Sequence, residues 1–203
     1  MQKYAALIAV GALAISLQPA LSQSTRPPTA KVIGTIAAAT ATELDVTGSD
    51  GTKTAVTLTP KTRIALSIPI SVDEIKPGSY IGAGAMADGK GGNTAVEITV
   101  FPESARGLGD GFHKWDQGPN STMTNGTVSE VVGTSDRTLT VTYKGGKQSV
   151  TIPSGTPIVT FSNADANALT VGAHVVVRAA KAFDGTLTAA FVSVGKDGST
   201  PPG

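Results

Sequence analysis

Along most of this chain, apolar residues recur at every second position in short runs, and Gly, Pro or Asp-Gly pairs break the runs. That is the period of a half-buried strand, not of a helix. Lys31 to Ala37 is β-rich, and in Glu43 to Thr47 Leu44 and Val46 share a face opposite Asp45. Asp50-Gly51 is a hairpin signal. Thr54 to Thr59 places Val56 and Leu58 inward, and Ile64 to Ile70 follows after Pro60. Ser71 and Glu74 have the spacing of a capping box, which predicts one helical turn. Tyr80 to Ala87 and Thr94 to Val100 complete a second hairpin around Asp88-Gly89.

The same order returns further on. Val56-Thr57-Leu58 recurs as Val150-Thr151-Ile152, 94 positions later, and Gly78 recurs as Gly172 at the same offset. Leu44-Asp45-Val46-Thr47 has its counterpart in Leu139-Thr140-Val141-Thr142, and Gly34-Thr35-Ile36 in Gly126-Thr127-Val128. The helical turn recurs between Ser162 and Leu169. An ordered set of matches of this kind indicates duplication of one unit. Strands this short need closure to hide their edges. The expected fold is therefore all-β: two tandem small barrels of five or six strands, OB-like, each with one short helical turn. A β-sandwich of the same strands is the alternative. The expected boundaries are 31–100 for the first barrel and 126–195 for the second, with 101–125 as a bridge and 196–203 as a disordered tail.

Composition agrees with this. Among 203 residues there are 24 Gly and 12 Pro, which suits many tight turns, and aromatics are only 4%. The formal net charge of +1 offers no basic field for nucleic acid. The absence of Cys excludes a disulfide framework, a thiolate zinc site and a Cys nucleophile. At the start, Met1-Gln2-Lys3-Tyr4 is followed by an apolar stretch from Ala5 to Leu17. Ala20 and Ser22 then stand at the −3 and −1 positions of a cut before Gln23. This is the pattern of a signal peptide over 1–22, with 23–30 as a flexible start. A periplasmic or secreted protein with no membrane span after cleavage is expected.

The bridge carries the candidate chemistry. It contains the only Trp, Trp115, and one of the two His, His113. Arg106, Phe112, His113, Trp115 and Asp116 are the candidates for a ligand or interface surface. Asp110, His113 and Asp116, with Glu103 nearby, form a candidate N/O metal set, although the surrounding Gly residues oppose the single helix face that their spacing would need. The competing reading is structural, with Phe101, Phe112 and Trp115 packing on barrel surface. Gly84 to Lys90 meets GxxxxGK, and Gly82 to Ala87 resembles a dinucleotide fingerprint. Neither has the strand-loop-helix setting that phosphate binding requires. His174 falls at the repeat position of Tyr80 and reads as a barrel-rim or barrel-wall residue rather than a base. Asn120-Ser121-Thr122 and Asn125-Gly126-Thr127 match glycosylation acceptors but read as turn chemistry.

The run Arg106-Gly107-x-Gly109-x-Gly111, then Trp115-Asp116, then Pro119-x-Ser121-Thr122-Met123-Thr124-Asn125 resembles a signature of small exported alphaproteobacterial proteins. Their flanking halves are similar to a repeated β-barrel domain of unknown function. The resemblance covers most of the chain and implies a periplasmic location and a barrel fold, but no reaction. Some members carry the label "metal ABC transporter permease", which a chain without several apolar spans contradicts. The expected function is a non-enzymatic periplasmic binding or envelope-associated module, with an envelope protein or a small ligand as partner and no cofactor. A metal-binding or delivery protein built on His113 is one alternative, and a hydrolase with unidentified carboxylates is another.

Overall fold

The computed structural model describes residues 28–203, except 88, 90 and 134–136. The signal-peptide pattern and most of the flexible start therefore lie outside the described residues, as do Asp88 and Lys90 of the hairpin tip. The fold is all-β. Its first six strands are β1 (Thr29–Ala39), β2 (Glu43–Thr47), β3 (Lys53–Thr57), β4 (Arg63–Pro69), β5 (Tyr80–Ala87) and β6 (Asn93–Val100). A short β7 (Gly111–Lys114) lies in the bridge. Then follow β8 (Ser121–Val132), β9 (Arg137–Tyr143), β10 (Gly146–Ile152), β11 (Ile158–Ala164), β12 (His174–Lys181) and β13 (Leu187–Gly195). Helical structure among the described residues is confined to single 3-10 turns, and none of it is long and apolar enough to cross a membrane.

The strand pairings close on themselves twice. In the first ring β1 pairs with β2 and β12, β2 with β3, and β12 with β13. β13 returns to the start through a parallel contact with β3 at Thr57 and a parallel ladder with β4. The second ring repeats the scheme: β8 pairs with β9 and β5, β9 with β10, and β5 with β6. β6 then runs parallel to β10 and β11. Each ring surrounds its own apolar core. Ile36, Leu44, Val46, Val56, Val175, Val177, Val192 and Val194 fill the first. Ile81, Ala83, Ile98, Val128, Leu139, Val141, Val150 and Ile152 fill the second. Residues matched by the repeat thus occupy equivalent inward positions.

The ring boundaries differ from those expected. Neither ring is built from one half of the chain. β12 and β13 of the second repeat complete the first ring, and β5 and β6 of the first repeat complete the second. The crossing is made at β4 and β11, which pair antiparallel with Leu66 opposite Ser162 and Ser67 opposite Phe161. Ser67 and Phe161 stand at the repeat offset of 94 positions, so a local twofold axis passes between the two strands at that pair. β4 leaves the first ring on this pair, and Ser71 with Glu74 then caps the turn Val72–Glu74 that delivers Ile75 into the second core. Leu169, after the turn Ala166–Ala168, enters the first core in the same way. The two copies offer near-identical edges, so inward patterning fits either partner. The direction in which β4 and β11 leave decides between them.

Two smaller boundaries also move. β8 begins at Ser121, so the last five residues assigned to the bridge belong to a strand that pairs with both β5 and β7. The expected disordered tail is instead seated. Lys196–Gly198 forms a 3-10 turn, and Pro201 is buried.

Candidate functional site

The rings meet along the outer faces of β13, β4, β11, β6 and β5, and the bridge lies over this seam. Between bridge and seam is a groove of about 660 Å³. Alternation along β5 sets its floor. Ile81, Ala83 and Ala85 point into the second core, so Gly82 and Gly84 point outward. A Cβ at Gly84 would fall 2.6 Å from the Trp115 ring, and one at Gly82 would fall 2.7 Å from Asn125 Oδ1 and 3.1 Å from the Phe101 ring. Only glycine permits this approach. The apparent dinucleotide fingerprint is therefore a seat for the bridge. Gly84→Val is expected to lift Trp115 from the strand, lower stability by ~1–3 kcal/mol as overpacking does, and shift Trp emission to the red. A thermal melt and a fluorescence spectrum check this.

The bridge is held by a network of short contacts. Trp115 N–H donates to Ser121 O at 3.0 Å, and Ser121 Oγ donates back to Trp115 O at 2.9 Å. Arg106 lies 5.7 Å over the Tyr80 ring and donates to Gly78 O, Thr127 Oγ1 and the Glu103 carboxylate. Tyr80 is itself buried and donates to Leu108 O at 3.2 Å; burial, with Asp110 nearby, holds its phenol above the usual range. Phe112 stacks on Tyr143 with ring centroids 6.4 Å apart. Asp116 pairs with Lys31 of β1 at 3.0 Å, which ties the bridge to the first ring as well.

These contacts divide the sequence candidates. His113, Trp115 and Asp116 line the groove, while Arg106 and Phe112 anchor the bridge away from it. The proposed metal set is not assembled. Asp110 accepts from Lys144 N–H at 2.6 Å, His113 Nε2 lies 3.3 Å from Gly109 O, and Asp116 is paired with Lys31. Among the described residues no three His, Asp or Glu side chains converge as metal ligands. The reason lies in the Gly-rich turns, which send successive side chains of the bridge to different walls. His174 opens β12 on the first ring, 3.3 Å from Thr35 Oγ1.

The structure adds residues from the strands. Glu97 on β6 is largely enclosed, and burial pushes its carboxyl up to about 7, against the opposing effects of a Gly203 N–H bond, Lys31 and Arg178. Arg63 lies 5.8 Å over Phe191, which meets Phe161 edge-on at 6.0 Å. Asn125 Oδ1 and Ser193 Oγ are buried at the groove and have no hydrogen-bond partner among the described residues. In sequence these residues look like the solvent face of ordinary strands, and nothing marks them as a set.

The chain matches no family model, no curated protein and no solved structure. The site joins four aromatic rings to two guanidinium groups and one carboxylate of raised pKa, and it holds two polar atoms without partners among the described residues. Such an arrangement can sequester a ligand with an apolar body and polar ends.

Proposed function

We propose that this chain is a non-enzymatic binding module of the bacterial envelope, and that it takes its ligand in the groove at the seam of the two rings. The observation that carries the reading is the groove itself. Its volume falls within the range of ligand sites, roughly 300–1,000 Å³. Phe101, Trp115, Phe161 and Phe191 supply apolar contact. Arg63 and Arg178 supply charge, and the buried, partnerless Asn125 Oδ1 and Ser193 Oγ are groups that a bound molecule would satisfy. The signal-peptide pattern over 1–22 and the resemblance to exported alphaproteobacterial proteins support the location.

Anilinonaphthalene sulfonate, with an aromatic body and one anionic group, is a suitable probe. It is expected to bind at one saturable site, with quenching of Trp115, the lone Trp of the chain. Arg178 is exposed, so Arg178→Ala should leave the melt unchanged and weaken uptake about tenfold, the scale of one charged anchor. Uptake that neither quenches Trp115 nor responds to Arg178→Ala counts against the groove as the binding site.

A further inference from the structure

One segment of the chain already lies against this groove. After β13 the backbone reverses through Lys196–Gly198, where Asp197 has φ 51°. A Cβ at Gly195 would fall 1.6 Å from Ser199 O, so the returning backbone lies directly against the strand end. Ser199 has φ −66° and ψ 154°, within the polyproline II region. Two prolines follow, each fixed at a φ that suits that helix. Pro201 is buried and Pro202 lines the groove.

The contacts at Gly203 have a particular form. Its N–H donates to Glu97 Oε2 at 3.1 Å. Its C=O accepts from Gln117 Nε2 at 3.1 Å. Glu97 belongs to the floor and Gln117 to the bridge, so side chains from opposite walls satisfy both backbone groups of one residue. Unlike a shape-only fit, such a clamp recognises peptide backbone. Polyproline II segments suit aromatic-lined grooves because they leave backbone groups free and lose little entropy on docking. Trp115 and Phe101 provide the rings here.

We infer that the groove recognises an extended proline-containing peptide of a partner protein, and that residues 199–203 hold the same position in cis. This rests on the groove being the binding site, and it names the ligand as peptide backbone preceded by proline. It also assigns Glu97 and Gln117 as the clamp and makes the 199–203 segment a competitor that a partner must displace. Tethering a competitor gives it an effective concentration in the millimolar range, so a free peptide meets a strong rival.

The test uses the full chain and the peptide Ser-Thr-Pro-Pro-Gly, blocked at both ends, with Trp115 emission as the signal. Pro202→Gly loosens the resident segment at a half-buried position and should not disturb either core. The variant is expected to bind the peptide saturably, with an apparent affinity at least about tenfold higher than the native chain shows, because the tethered rival is weakened. A peptide with both prolines replaced by alanine should bind much more weakly. In the native chain, excess peptide should release Gly203, seen as lost hydrogen-exchange protection of its amide. The inference is overturned if Pro202→Gly takes up anilinonaphthalene sulfonate but no peptide, if the alanine peptide binds equally well, or if Gly203 stays protected while peptide is bound. If neither dye nor peptide binds, the groove reading fails with it.

Discussion

Residues 29–120 produced without the remainder are expected to stay unfolded, and so are residues 121–203 alone. Mixing the two fragments should restore a folded species with one melting transition. The first fragment holds β1 to β4 of one ring but lacks β12 and β13, which bring Val175, Val177, Val192 and Val194 into its core. It also carries β5 and β6, whose Ile81 and Ile98 belong against Val128, Leu139 and Val141 of the other fragment. Exposing four valines of one ring alone costs on the order of 6–12 kcal/mol, at about 1.5–3 kcal/mol per buried side chain. That rivals the whole stability of an ordinary domain, about 5–15 kcal/mol. Circular dichroism and melting of each fragment, singly and mixed, read the outcome. A fragment that melts cooperatively by itself would show that each half closes its own ring.

Glu97 gives the second large effect. Its carboxyl titrates near the ordinary 4.5 in the unfolded chain and at about 7 in the folded one. Between those values the folded state binds more protons, so stability falls as pH rises. The contribution is present in full below about pH 4.5, is lost progressively towards pH 7, and is constant above that. The span corresponds to about 3 kcal/mol at 1.36 kcal/mol per pKa unit. Glu97→Gln keeps an oxygen acceptor for Gly203 N–H and removes the charge. It should melt higher than the native chain at about pH 8 and lose this part of the pH slope. Asp50, Glu103 and Asp184 are shifted the opposite way and are common to both proteins, so the difference between the two curves isolates Glu97. Identical slopes for variant and native chain would show that Glu97 is ionised at little cost in the fold.

Much of the fold is legible in the residues. Alternation places Leu44, Val46, Val56 and their counterparts Leu139, Val141 and Val150 inward, and all six are fully buried. Ser71 and Glu74 mark a capped turn that the structure contains. The bridge was legible only in part. Gly107, Gly109 and Gly118 announce irregular backbone, but Ser121 to Asn125 has no apolar alternation and does not announce β8. Its pairing comes from two neighbouring strands, not from its own pattern. Gly-Ser-Thr-Pro-Pro-Gly reads as a solvated end, yet the same prolines that forbid a helix also fit a groove wall. The metal set failed for a related reason: spacing along a chain predicts convergence only on a regular element, and this stretch has none.

By itself the sequence determined that the chain is all-β, which side chains of the alternating strands face inward and where several of the turns lie, and its ordered matches indicate duplication of one unit. Those properties are local, since a residue's face follows from its place in an alternating run. Only the tertiary structure decided which copy completes which ring, because both copies present edges of the same pattern and the exchange turns on the antiparallel meeting of β4 with β11. The groove arose at that same step. Glu97, Arg178, Trp115 and Gly203 come from four separate parts of the chain, and no local rule brings them together. The folding of the seam does.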